Sequence, residues 1–346
     1  MPKYIQAEKL RKLCIDIFMK AGTPKEETEI VVDNLLRTSL RGVDSHGVRN
    51  IPNYINLGIN KGGITPGAPI IVLKDTPTTA MWNNNNSFGF VAGKKAMETA
   101  MRKADDYGIG AVGTCNPEGG FDHIGSLGYY SEMAALKDKI GIVTCSTMPL
   151  IAAWGGASRV LGNNPISIAV PASKYPPIVW DVACSQVAAG HLMVMAMRGD
   201  PIPEGWILNK EGQPTTDPKA FFEGGAMMPF GTYKGYGLAT VIDAITGGLG
   251  AGCSFDNKRY GHLFMAIDPS GFTPLQDFKA RVDRLIEYIK ASSKRPVVEE
   301  IFVAGEIENR TMKRRLKEGI PIDDPDWEAL SKTARELGVN PEKTVE

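Results

Sequence analysis

Apolar residues in the first sixty positions recur at helical spacing. Leu10, Leu13 and Ile17 fall on one face of a helix over 9–18, and Ile30, Val31, Leu35 and Leu36 on one face of a second. Thr23-Pro24-Lys25-Glu26 reads as a capping box opening that second helix, with proline at its first position. Arg41 to Tyr54 reads as a turn running into a third helix, with Pro52 in its first turn. Beyond a Gly/Pro-rich stretch over 62–69 the period changes. Runs of β-formers at 70–73, 109–112, 140–144, 166–170, 178–182 and 263–267 alternate with helical segments at 90–106, 126–136, 185–197 and 234–246. From Leu275 the chain is helical again, ending with a helix over 326–337. This pattern predicts an α/β (α+β) fold: a mixed domain over 70–270, with helical parts over 1–69 and 271–346 packing together.

Composition narrows the function classes. The 346 residues are 43% hydrophobic and carry 39 basic and 39 acidic side chains, an ordinary globular balance with no pull toward nucleic acid or an anionic membrane. No apolar run approaches the roughly 20 residues that cross a bilayer. The first residues lack the basic-then-apolar layout of a signal peptide. Five scattered cysteines without a C-x-x-C argue against a disulfide framework and a zinc site, so the expectation is a metal-free cytoplasmic protein. With four histidines, His46, His123, His191 and His262, the choice of a proton donor near neutral pH is short.

Gly108-Ile-Gly-Ala-Val-Gly113 matches G-x-G-x-x-G, but a helix precedes it and Thr114-Cys-Asn-Pro-Glu-Gly-Gly cannot open one. It reads as a helix-to-strand turn instead of a dinucleotide fingerprint. Gly247–Gly252 reads as a helix end and loop. In Asp44-Ser-His-Gly47, a polar turn before a helix offers free amides and a histidine, with Arg49 and Asn50 following. It suits a proton donor with a carboxylate clamp, or simply a helix cap. His123 precedes a glycine-opened helix, either facing solvent or serving chemistry. Asp181 and Cys184-Ser185 lie at the carboxyl end of a strand, where ligands collect in α/β sheets, and Ser185 also suits a helix cap. Lys234 opens an apolar helix, a poor place for a cation unless an anion sits nearby. His191 and His262 read as structural, Arg41, Arg102, Lys294 and Arg295 as surface charges, and Asn83–Asn86 as a loop without chemistry.

Together these stretches resemble the malate/L-lactate dehydrogenase family of non-Rossmann type. The marks are Asp44-Ser-His-Gly47, His123-x-Gly125 with Gly128-Tyr-Tyr130, Trp154-Gly-Gly156, Leu161-Gly-Asn-Asn-Pro165, Asp181-x-Ala-x-Ser185, Pro203-x-Gly-Trp206, Pro214-Thr-Thr-Asp217, Lys234-Gly-Tyr-Gly-Leu238 and Gly305-Glu306, in the family's order over nearly the whole chain. The resemblance implies a homodimeric oxidoreductase using NAD or NADP on a small 2-oxo or 2-hydroxy acid, with a mixed sheet and a discontinuous helical domain. It implies His46 as proton donor, His123 as acid/base or cofactor contact, and Ser45, Arg49, Asn50 and Tyr54 at the substrate. Ser146, Asn164, Asp181, Val182, Ala183, Ser185, Lys234, Gly305 and Glu306 fall at cofactor positions.

Three departures touch the substrate side. The family's arginine four residues after the histidine is Asn50 here, with Arg49 one place earlier and about 100° around a helix. The lead-in to His123, Asn116-Pro-Glu-Gly-Gly-Phe-Asp122, is longer than usual. Asn163 stands where threonine is common, and His191 where lysine is common. A cyclic imino-acid reductase and a cofactor-binding protein without turnover are the alternative readings.

Overall fold

The computed structural model describes residues 2–116, 120–250, 252–256 and 261–345. The chain opens with β1 (Lys3–Ile5), α1 (Ala7–Lys20) and α2 (Lys25–Leu40), then runs through two short 3₁₀ turns, Asp44–His46 and Val48–Asn50, into α3 (Ile51–Asn53) and a wider helical turn, Tyr54–Ile59. Next come β2 (Ile71–Asp75), β3 (Thr79–Asn83), α4 (Gly89–Tyr107), β4 (Ile109–Cys115), α5 (Leu127–Ala135) and β5 (Ile140–Cys145). A second group follows: β6 (Pro149–Ala152), β7 (Arg159–Gly162), β8 (Ile166–Val170), β9 (Ile178–Val182), α6 (Ala189–Arg198), β10 (Ile207–Leu208), β11 (Pro214–Thr215), α7 (Lys219–Phe222), β12 (Ala226–Met227), α8 (Tyr233–Ile242) and α9 (Gly248–Gly250). β13 (Gly261–Ile267) returns to the centre of the fold. The chain closes with α10 (Leu275–Lys290), α11 (Glu306–Glu318), β14 (Ile320–Ile322), α12 (Asp324–Glu336) and α13 (Pro341–Val345).

The expected mixed α/β fold is present. Its main sheet has seven strands in the order β2-β3-β4-β13-β5-β8-β9, antiparallel except for β3 beside β4. Five shorter strands, β11-β10-β12-β6-β7, make a second sheet, and β1 pairs with β14 to tie the two ends of the chain. Beneath the main sheet, α4 presents Ala96, Ala100 and Ala104, all fully buried, so its backbone lies close to β4. At Gly110 a Cβ would stand 2.1 Å from the Ala100 carbonyl oxygen, and Gly108, at φ +81°, ends the helix. Close packing and a left-handed helix end therefore account for the first two glycines of the G-x-G-x-x-G string.

A separate core joins the ends of the chain: Leu10, Leu13, Ile17, Phe18, Val31 and Leu35 pack with Ile320, Leu330 and Ala334, and with Phe88 and Phe90 from the start of α4. Helix α10 is seated elsewhere, on the sheet side. Asp283 accepts the amides of Ser173 and Lys174 at 3.1 Å each, and Lys279 pairs with Asp138. None of the described helices is long and apolar enough to cross a membrane, and no group of His, Cys, Asp or Glu among the described residues is arranged to hold a metal ion.

Several local expectations change. Thr23 does not cap α2, because the N-cap is Pro24, one residue later than a Thr-x-x-Glu box requires; the Thr23 hydroxyl is buried without a partner among the described residues. Arg41 is no surface charge. It is 8% exposed and bonds Glu132 and Asn309, joining α2 to α5 and α11. Ser185 does not cap the helix after β9, since α6 starts at Ala189 and the Ser185 hydroxyl donates to Val187 O at 2.7 Å. Helical structure continues past Thr246 to Gly250, deeper into the glycine run than expected. The sequence reading also passed over β3, β6 and β7, which are only four or five residues long.

Candidate active site

His46 stands on the turn that follows α2, and three contacts shape that turn. Arg315 of α11 donates to both oxygens of Asp44 at 2.5 and 2.9 Å, and to the Ser39 carbonyl at 2.5 Å. The Val48 amide donates to Ser39 Oγ at 3.0 Å, across a space so small that a Cβ on Gly47 would lie 2.0 Å from that oxygen. Asn50 Nδ2 donates to Ser45 O at 2.7 Å, folding the turn back on itself. Ser45 Oγ then meets His46 Nδ1 at 2.8 Å, which orients the ring and leaves Nε2 for chemistry. Arg49 points elsewhere. It pairs with Asp326 of α12 at 3.5 Å and lines a separate surface cleft with Arg198 and Met197.

His123 comes from the loop between β4 and α5. Part of its long lead-in, 117–119, lies outside the described residues. Its ring stacks on His46 with centroids 5.5 Å apart and 25° between planes. Tyr54, 1% exposed, places its hydroxyl 2.5 Å from His123 Nδ1, and the Gly125 amide points at the same nitrogen at 3.3 Å. An amide only donates, so Nδ1 is an acceptor and the neutral ring carries its proton on Nε2. The ring is accessible from the cleft yet surrounded by protein. Poor solvation lowers its pKa well below 6.5, and the positive charge that His46 or His262 would carry adds to this. Burial also lowers His46, with no such second contribution, and it raises the Tyr54 hydroxyl.

Four polar residues stand behind His123: His262 was read as structural and Asn84 as part of a loop without chemistry, while Asp122 and Thr114 drew no reading of their own. Asn84 Nδ2 donates to both Asp122 oxygens at 3.0 and 3.2 Å, His262 Nδ1 lies 3.7 Å from Asp122 Oδ2, and Thr114 Oγ1 lies 3.1 Å from the same nitrogen. All four are at most 4% exposed. The run of four asparagines at 83–86 was the one available signal.

The two histidines line a cleft of about 410 Å³ whose other walls are largely apolar: Phe121, Leu127, Met148, Leu150 and Pro165, with Thr147 and Asn163 as polar points and Asp122 at its base. From Asn163 the expected cofactor positions lead away along β9. The Cys184 amide donates to Asn163 O at 2.7 Å, Cys184 O accepts from Phe230, and a Cβ on Gly235 would lie 2.9 Å from Cys184 O. This brings Val182, Ala183 and Ser185 beside the start of α8, where Lys234 is exposed and has no ion-pair or hydrogen-bond partner among the described residues. Gly305, at φ +88°, packs on Val179 of the same strand.

Other expected cofactor side chains are committed internally. Ser146 Oγ accepts from the Gly261 amide at 3.0 Å. Asn164 is fully buried, accepting from Thr147 N and donating to Ala239 O, each at 2.9 Å. Asp181 Oδ2 takes Ser126 Oγ and Gly128 N at 2.8 and 2.7 Å, at the N-terminus of α5. Glu306 is bound to Lys290 and Arg310.

A profile of the malate/L-lactate dehydrogenase family matches residues 5–331. The chain is 39% identical over 350 residues to a malate dehydrogenase of Pyrococcus abyssi, covering 97% of this chain and 95% of that one. It is 37% identical over 347 residues to an L-sulfolactate dehydrogenase of Methanothermobacter thermautotrophicus, covering 97% and 98%. The solved sulfolactate dehydrogenase of Methanocaldococcus jannaschii matches with a TM-score of 0.89 at 37% identity, over 99% of this chain and 100% of that chain.

Proposed function

Because the chain belongs to the malate/L-lactate dehydrogenase family, we propose that it is an NAD- or NADP-dependent dehydrogenase acting on a small 2-oxo or 2-hydroxy acid. The observation that carries this reading is the pair of stacked imidazoles in one apolar cleft, each with Nδ1 engaged and Nε2 left over. The residues present fit a dinucleotide. Leu127, Met148, Leu150 and Pro165 offer flat apolar surface to a nicotinamide ring, and Lys234 in the first turn of α8, with no partner among the described residues, suits a phosphate. When bound, the cofactor supplies the hydride.

The chain's own groups supply the proton and the surroundings. As a carbonyl oxygen gains electrons, His46 gives up the proton on Nε2, while Ser45 holds the ring in place. His123, neutral with its hydrogen on Nε2, donates a hydrogen bond without itself transferring a proton. Tyr54 and Asn50 act through the rings and the turn, and Asp181, Ser146 and Asn164 through the backbone they hold. The apolar walls keep bulk water from the reacting atoms.

The same reading takes residues 70–270 as the cofactor- and substrate-binding domain, with the two ends of the chain forming the helical one. It also takes the protein as a homodimer, and cysteines that are all free thiols support a cytoplasmic location.

Fluorescence titration with NADH and NADPH tests the reading, followed by a panel of 2-oxo acids and cyclic imines. Saturable binding of one dinucleotide and oxidation of it by a 2-oxo acid are expected. Binding of neither overturns the proposal, and turnover of cyclic imines alone moves the activity to imine reduction.

A further inference from the structure

The reaction outlined above uses His46 and His123 and leaves Asp122 and His262 without a task. Yet these two ionisable groups are enclosed at the centre of the fold, where the β4 and β13 ends meet the loop that carries His123. His262 and Thr114 face each other across the β4–β13 ladder, and Asp122 directly precedes His123 in the chain. Burial raises the Asp122 pKa, while His262 and Asn84 oppose that shift; burial lowers the His262 pKa. Besides His262, the titratable groups among the described residues that interact with Asp122 are Tyr130 from α5 and Cys145 from β5.

Such a network is a poor device for stability alone. An apolar cluster of the same volume would fill the space with no desolvation penalty. This one leaves Asn84 Oδ1 and His262 Nε2 buried without a hydrogen bond among the described residues. What it does provide is direction. Asn84 holds both Asp122 oxygens, and α4 starts so close that a Cβ on Gly89 would lie 3.1 Å from Asp122 Oδ1 and 2.7 Å from the His123 carbonyl oxygen. Backbone and side chain of the 122–123 unit are thus fixed from three sides, and the register in which Gly125 and Tyr54 both meet His123 Nδ1 follows from that placement.

We propose that Asp122 and His262 are a positioning pair that anchors the loop beneath the cleft and thereby holds His123 in the single neutral tautomer with its proton on Nε2. Neither residue touches the reacting atoms. The inference rests on the reading of His123 as a group at the reacting centre, but its main readout needs no substrate.

With only four histidines, side-chain ¹⁵N–¹H correlation spectra resolve each ring. The wild-type protein shows His123 as one tautomer, Nδ1 unprotonated. Asp122→Ala gives His123 signals averaged between tautomers and lowers kcat about 10- to 100-fold, with the dinucleotide Kd and the acid KM within about threefold. Asp122→Asn, which keeps an acceptor for Asn84 or His262, recovers most of that loss. Should Asp122→Ala fail to fold, Thr114→Val removes the partner of His262 more gently and shows the same tautomer averaging with a kcat loss of about three- to tenfold. The proposal is overturned if the folded variant keeps the His123 spectrum and kcat of the wild type, even with a lower melting temperature. Absence of turnover in the wild-type protein counts against the dehydrogenase reading only, because the spectra decide the positioning role independently.

Discussion

The two walls of the cleft carry similar rings on opposite kinds of support. The His46 wall is a short turn clamped by charge: Arg315 grips Asp44 through two hydrogen bonds, and the Asp44 side chain is 44% exposed. The His123 wall is a loop bedded on Asn84, Asp122, His262 and Thr114, all sealed from solvent. The difference appears in the rings. His46 is lowered by burial alone and keeps a titratable nitrogen, whereas His123 is lowered further by neighbouring imidazoles and has Nδ1 occupied by Tyr54 and Gly125. Two stacked imidazoles cannot both hold a proton cheaply, and this asymmetry supports the proposal that the mobile proton belongs to His46.

Removing that proton tests the assignment most severely. His46→Ala is expected to slow the reductive step by about 100-fold or more while dinucleotide affinity, measured by fluorescence titration, stays near the wild-type value. Turnover at the wild-type rate would transfer the proton to another group and erase the distinction between the walls.

A pH profile sharpens the same point without a mutation. With His46 as the proposed donor, reduction requires it protonated, so kcat/KM is expected to fall about tenfold per pH unit once pH rises above a pKa that burial has moved below 6.5. Oxidation requires the neutral ring and is lost in the opposite sense, as pH falls through the same value. His123, held lower still, adds no ionisation near neutrality. Two ionisations between pH 5 and 8, both abolished by changes at the two histidines, would mean that the walls titrate alike.

Much of this arrangement could be read from local pattern, and its supports could not. The strands at 166–170 and 178–182 and the turn at Asp44–Gly47 announce themselves through β-former runs and a compact polar motif, both local signals. The groups that hold the histidines are distant in sequence. Arg315 reaches Asp44 across 271 positions, and His262 reaches Thr114 across 148. One arginine in the Lys313-Arg314-Arg315 run of a basic helix, or a histidine at a strand start, carries no mark of such a partner. Arg41 misled for the same reason, since Glu132, which pairs with its charge, and Asn309, which accepts a hydrogen bond from it, come from α5 and α11. The strands β10 to β12 hold two residues each, too few to display a period.

The charged clamp gives the smallest effect on turnover and the clearest contrast with the buried bed. Arg315 is 8% exposed, and its Nη1 also holds the Ser39 carbonyl at the end of α2. Replacing it with alanine leaves Asp44 able to turn toward water, because that carboxylate is already partly solvated. The cost is therefore below the 3–5 kcal/mol typical of a fully buried pair, about 1–3 kcal/mol. Thermal unfolding of Arg315→Ala should move down by a few degrees. Gly47, Ser39 and Asn50 still shape the turn from its other side, so His46 keeps most of its placement and kcat drops only about fivefold. A loss as large as that of His46→Ala would mean that the ion pair alone holds the proton donor. An unchanged kcat would place the control of His46 in the Ser39–Val48 and Asn50–Ser45 bonds, making this wall as independent of charge as the one opposite.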